Sequence, residues 1–138
     1  MKIVIPQKNL LSRINDVDYF DWNYKFPIKY VQLYRFKAII KLLGDKKYTN
    51  LLEIGTGSGI LLPELARHCD KLYACDIHPH MDKIKSLLHN YEIKKYEIKS
   101  QSIEKTEYPD NYFDVIVGVS VLEFVNNLHS TISEITNT

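Results

Sequence analysis

Three of the chain's five glycines, Gly55, Gly57 and Gly59, stand within five positions. They follow the apolar run Leu51-Leu52-Glu53-Ile54 and precede a helical pattern. That order reads as strand, ligand-binding turn, helix. Glycine serves where the backbone takes positive φ or where a ligand must lie against it. The free N–H groups of the helix start then face the ligand. Such a turn is the nucleotide end of a doubly wound α/β sheet. An ordinary glycine-rich αβ loop is the bland alternative, and the clustering of the glycines favours binding. A dinucleotide fingerprint wants a glycine at position 60, where this chain has Ile60, and no Gly-Lys-Ser/Thr of a P-loop is present. Asp76 ends the next apolar run, so its carboxylate projects into the crevice beside the glycine turn. There it can accept two hydrogen bonds from a ribose diol. A helix N-cap or a solvated loop acid is the alternative, and co-occurrence with the glycine turn favours ribose.

The elements that must position these residues follow from periodicity. Residues 1 to about 16 read as irregular or weakly helical. Tyr19 to Pro27 then carries five aromatics in eight positions, closed by a proline. This segment is expected to pack onto the domain, with an aromatic lid over a substrate pocket as the second reading. Ile28 to Leu43 has the spacing of a helix with a broad buried side, ended by Gly44. The helix after the glycine turn is expected over Ile60 to His68, with Pro63 tolerated in its first turn. Strands are expected at Lys71 to Asp76, Tyr96 to Lys99 and Phe113 to Val119, with a helix from Asp82 to Asn90. A turn is expected at Tyr108 to Asn111. From Leu122 onward a helix is predicted, with Leu122, Val125, Leu128, Ile132 and Ile135 on one side. Alternating strands and helices give a parallel sheet with right-handed crossovers.

Length and composition bound the function. The 138 residues suit one domain, and 45% hydrophobic with 25% charged residues describes an ordinary globular protein. A net charge of +1 gives no electrostatic reason to expect nucleic acid. Cys69 and Cys75 have no metal-site spacing and read as reduced and structural. No signal-peptide core or membrane-length apolar run is present, so the cytoplasm is the expected location. His78 and His80 beside Asp76 raise a metal site, but ribose accounts for Asp76 and a His-Pro-His loop reads as solvated. No metal is expected.

Four stretches in order carry a resemblance: Glu53-Ile54-Gly55-Thr56-Gly57-Ser58-Gly59, Asp76, Pro109 to Val117, and Ser120-Val121-Leu122-Glu123-Phe124-Val125. Together they resemble a class I S-adenosylmethionine-dependent methyltransferase, closest to the small-molecule branch, over about residues 30 to 135. The resemblance implies a three-layer Rossmann-like sandwich with a parallel sheet, of which this chain supplies strands in the order 3-2-1-4 only. Residues 1–45 would be an N-terminal helical and aromatic segment packed on the domain. Residues 46–138 would be the N-terminal half of the cofactor-binding domain.

The resemblance also implies roles. Glu53 would hold the methionine amino group. Gly55, Thr56, Gly57 and Gly59 would let the backbone approach the methionine moiety and nucleoside. Asp76 would bind the ribose hydroxyls, and Ile77 would lie against adenine. Ser102 occupies the position where many relatives carry an acid that reads the adenine amino group, with Ile103 beside it; serine offers no charge-assisted bond there. Gly118, Val119 and Ser120 would line the floor near the transferable methyl. S-adenosylmethionine would be the cofactor and S-adenosylhomocysteine the product, with a small molecule as acceptor. The sulfonium is already activated, so alignment and water exclusion are the main demands. Glu123 and His129 are nearest by motif position for proton transfer, yet both read as surface residues, and no catalytic residue is assigned. The family's sheet has seven strands. Strand four would be an edge, open to a second copy or a partner chain through 113–119. A gene fragment is the third reading. A non-catalytic module that binds the cofactor or a protein is the alternative function.

Overall fold

The computed structural model describes residues 3–14 and 20–138. Tyr19 and the end of the 1–16 stretch, both part of the expectations above, lie outside the described residues. Four parallel strands form one sheet in the order β3-β2-β1-β4, with β1 Tyr48–Ile54, β2 Cys69–Asp76, β3 Tyr96–Ser100 and β4 Val115–Gly118. This is the expected 3-2-1-4 order in an α/β fold. Register brings the carboxyl ends together: Ile54 pairs with Cys75 and Gly118, and Asp76 pairs with Ser100.

Strand side chains alternate between faces, and each face has its own core. Leu51, Leu72, Ala74 and Val117 pack on one face with Phe36, Ile40, Leu43, Leu62, Leu65, Ile84 and Leu88. Those partners come from α1 (Ile28–Leu43), α2 (Leu62–Leu65) and α3 (Met81–Asn90). Leu52, Ile54, Tyr73 and Cys75 face the other way, onto Ile103, with Tyr108, Phe113, Val125 and Ile135 packed around them. Full burial of an aliphatic side chain of this size contributes about 1.5–3 kcal/mol. The central strands β1 and β2 therefore carry much of the fold's stability.

α1 spans the residues its periodicity predicts. Phe36, Ile40 and Leu43 recur at helical spacing on its buried face, and the Gly44 N–H closes it on the Ile40 carbonyl (3.1 Å) with φ +68°. Its first turn packs against the short 3-10 helix Phe20–Tyr24, whose Tyr24 hydroxyl donates to the Pro6 carbonyl (2.6 Å). Trp22 and Phe26 in this stretch are exposed.

Three expected boundaries are corrected. The helix expected over 60–68 is a single α-turn, Leu62–Leu65, followed by a 3-10 turn, Ala66–His68. Gly59 at φ +78° holds the chain out of helix before it, and β2 begins at once after it, at Cys69. β4 is shorter than 113–119. At Asp114 the N–H still bonds the Asn50 carbonyl (3.0 Å) while the side-chain carboxylate accepts the N–H groups of Thr49 (2.6 Å) and Asn50 (3.0 Å), and Ser120 at φ +55° turns the chain away at the other end. These two N–H groups also hold the Asp114 carboxyl below its usual range. The helix expected from Leu122 starts at Leu128. A 3-10 turn, Leu122–Phe124, comes first, and the Glu104 carboxylate then takes the N–H groups of Asn126 and Asn127 and straightens the chain. Asn127 caps α4 (Leu128–Asn137), its side chain accepting from the Ser130 N–H (3.0 Å).

Candidate functional site

The glycine turn leaves β1 at Ile54 and lies against the end of β2. Gly55 and Thr56 donate their N–H groups to the Cys75 carbonyl at 2.9 and 3.3 Å. Two glycines answer different demands. A Cβ on Gly55 would fall 2.2 Å from a Val121 methyl, so the chain after β4 packs directly on its α-carbon. A Cβ on Gly57 would meet nothing within 4 Å, and its φ of +52° suits glycine. The first glycine thus admits the Val121 side chain, and the second leaves an open face.

Glu53 lies beneath this turn with 4% of its surface exposed. The Thr56 hydroxyl donates to its Oε2 (2.7 Å). Burial pushes its carboxyl up to about 8, opposed by the Thr56 bond and assisted by the negative Asp76. A buried carboxyl poised in this way ionises readily once a cation is brought to it. Asp76, at the end of β2, accepts the Gly57 N–H on Oδ2 (2.8 Å), with the His78 N–H at 3.4 Å from Oδ1. Ile77 next to it is 74% exposed, an apolar side chain standing free beside the turn.

The remaining predicted residues divide. Ser102 accepts the Glu104 N–H (3.1 Å) and shapes the loop after β3. Ile103 is buried in the core with Leu52, Ile54, Tyr73 and Cys75. Gly118 sits against Ile54 and Val121, and exposed Ser120 receives an N–H from the Arg35 guanidinium of α1. Glu123 and His129 are both exposed.

Sequence reasoning missed three features. His78 is buried, where the His-Pro-His stretch reads as solvated. Its Nε2 lies 3.0 Å from the Gly57 carbonyl, and its Nδ1 accepts the His80 N–H (3.2 Å). Arg35 ties α1 to the chain after β4, a contact spanning 85 positions that no local pattern encodes. Val121 closes on Gly55. Among the described residues no group of three or more His, Cys, Asp and Glu could hold a metal ion. Both thiols are free and buried, and burial pushes each up to about 11, so neither is a ready nucleophile.

A parallel 3-2-1-4 sheet with a glycine turn after its first strand and an acid closing its second is a Rossmann-like arrangement, shared by class I methyltransferases. The chain belongs to the methyltransferase-domain family, whose profile matches residues 52–138. S-adenosylmethionine is the cofactor of this class and S-adenosylhomocysteine its product. Solved structures agree in fold. An S-adenosylmethionine-dependent methyltransferase from Aquifex aeolicus is 23% identical with a TM-score of 0.66, over 74% of this chain and 56% of that one. The N-methyltransferase NodS from Bradyrhizobium japonicum WM9, in complex with S-adenosylhomocysteine, is 22% identical with a TM-score of 0.64, over 91% of this chain and 61% of NodS. The [4+2]-cyclase SpnF is 16% identical with a TM-score of 0.69, over 75% of this chain and 40% of SpnF. The chain thus spans less than two thirds of each of these structures. No curated protein matches the sequence.

Proposed function

We propose that this chain binds S-adenosylmethionine at the carboxyl end of β1 and β2 and takes part in methyl transfer to a small-molecule acceptor. The observation that carries the reading is the set Glu53, Gly57, Asp76 and Ile77. A buried acid, an open glycine face, a crevice acid and a free apolar side chain follow one another along the turn. The cofactor has a cationic amino group, a ribose diol and a flat adenine in matching order, so the residues fit it.

In this reading Glu53 takes the ammonium and becomes ionised, and Thr56 keeps the carboxylate oriented. The backbone of Gly55, Gly57 and Gly59 forms the wall, and Asp76 accepts the ribose hydroxyls. Ile77 covers one face of adenine, and Ser102 reads its edge through a neutral hydrogen bond. Gly118, Val119 and Ser120 floor the space where the methyl is transferred. When bound, the cofactor supplies an activated methyl on its sulfonium. The protein's part is alignment and exclusion of water, and no side chain is assigned as acid or base.

Residues 1–45 are proposed as a segment covering the domain's α1 side, and 46–138 as its cofactor-binding half. The exposed outer side of β4 supports a second copy or a partner chain pairing there. A cofactor-binding module without catalysis is the second reading, favoured by the exposed apolar residues after β4; the likeness to a cyclase reflects how one fold serves several reactions. No helix among the described residues is long and apolar enough to cross a membrane. Two reduced thiols support a reducing compartment, and the cytoplasm is the proposed location. Calorimetry with S-adenosylhomocysteine tests cofactor binding, and a methyl-transfer assay then separates the two readings.

A further inference from the structure

We propose that His78 is a positioning residue, which locks the Gly57 peptide in the conformation that receives the cofactor. The inference rests on the cofactor reading above and extends it to a side chain that need not touch the ligand. Gly57 is an open point of the turn: its φ is +52° and, beyond its chain neighbours, no atom lies within 4 Å of where a side chain would begin. Packing therefore does not hold it. The Gly59 N–H bond to the Thr56 carbonyl (2.8 Å) spans it, and two side chains two positions apart hold its own polar groups. Its N–H goes to Asp76 Oδ2 (2.8 Å), and its carbonyl meets His78 Nε2 at 3.0 Å.

The two contacts of the imidazole fix one tautomer. A carbonyl oxygen only accepts, so Nε2 carries the proton. The His80 N–H only donates, so Nδ1 is bare and accepts it at 3.2 Å. Both nitrogens are thereby used, which leaves no lone pair for a metal. The ring is 5% exposed, and Asp76 Oδ2 lies 4.0 Å from Nε2. The backbone of His78 is itself held, since the Ser100 hydroxyl at the end of β3 donates to its carbonyl (3.1 Å). His80 directly precedes α3. The imidazole thus links the glycine turn, the end of β3 and the start of α3. Turning the Gly57 peptide would re-aim the N–H groups of Ser58 and Gly59 that follow it.

Three variants of the full chain separate the two bonds. In His78→Gln the amide N–H reaches the place of Nε2 and keeps the bond to Gly57. In His78→Asn the side chain accepts from His80 but falls short of Gly57. In His78→Phe both bonds are lost. Calorimetry with S-adenosylhomocysteine should find His78→Asn and His78→Phe weaker by about tenfold, and His78→Gln within about threefold of the parent. Exchange of the Ser58 amide proton, which shares a peptide plane with the Gly57 carbonyl, should quicken in His78→Asn and His78→Phe and not in His78→Gln. A purely structural role would instead order the variants by melting temperature. Equal affinities in all four proteins, an Asn variant that binds better than the Gln variant, or ring nitrogen shifts showing Nδ1–H would overturn the proposal. A parent chain that binds no S-adenosylhomocysteine overturns the cofactor reading instead. Ser58 amide exchange then decides His78's hold on the turn by itself.

Discussion

The two sides of the sheet's carboxyl edge are built differently. At β1 and β2, main chain and side chains close on one another: Thr56 on Glu53, Gly57 on Asp76, His78 on Gly57. At β4, the chain after Gly118 presents apolar side chains outward, with Leu122 41%, Phe124 65%, Leu128 50% and Ile132 44% exposed. A shallow apolar groove runs there between Ile54, Ile116, Gly118 and α4's Ile132 and Ile135. The polar network is held by its own hydrogen bonds. The apolar side has surface to offer and few polar groups to define what meets it. The proposed division follows from this difference: cofactor recognition at the first region, acceptor or partner contact at the second.

Substitutions can break that contrast. The largest effect is expected from Asp76→Ala, which removes both the ribose acceptor and the anchor of the Gly57 N–H. Affinity for S-adenosylhomocysteine should fall roughly 100-fold, the scale of two charge-assisted bonds. Phe124→Ser on the other side should leave that affinity within about twofold, since scattered surface changes have small effects. If the two variants bind alike, the division of labour is wrong.

Gly55→Ala and Gly57→Ala sharpen the picture within the turn. At position 55 the new methyl would meet Val121 at 2.2 Å, so thermal and urea unfolding should show a loss of about 2–3 kcal/mol. At position 57 there is open space, and only the positive φ penalises alanine, by about 1–2 kcal/mol. Equal losses would mean that Val121 moves away without cost.

Glu53→Gln is expected to weaken S-adenosylhomocysteine about tenfold, and it carries a pH signature. In the free protein the Glu53 carboxyl is raised from 4.5 to about 8 by burial. The folded state therefore holds this proton more tightly than the unfolded chain does. Its contribution to stability is fully present below pH 4.5 and is lost as pH rises toward about 8. Glu53→Gln should flatten that slope in melting temperature. A slope unchanged by the substitution would assign it to another group. The smallest effect is expected from Leu128→Ser, which should lower self-association in sedimentation runs and leave the fold intact. No change there would remove α4 from any contact between copies.

Much of this was legible in the residues. The parallel sheet followed from alternating strand and helix patterns, its 3-2-1-4 order from the family resemblance, and α1 from the recurrence of Phe36, Ile40 and Leu43. The glycine turn and Asp76 were visible because each answers a local demand of spacing. Boundaries failed where a distant side chain competed for backbone groups. Asp114 shortened β4 by capturing Thr49 and Asn50, and Glu104 delayed α4 by capturing Asn126 and Asn127. His78 was misread for the same reason. Its neighbours in sequence suggest a wet loop, while its partner, the Gly57 carbonyl, stands 21 positions earlier.

The most direct test is titration calorimetry of this chain with S-adenosylhomocysteine from pH 6 to 8.5, in two buffers of different ionisation enthalpy. One molecule should bind per chain. Affinity should rise with pH, and a proton should be released below about pH 8 as Glu53 ionises against the ligand's ammonium. Absence of binding at millimolar ligand, or binding with no proton release at any pH, would contradict a cofactor site built on Glu53 and the glycine turn.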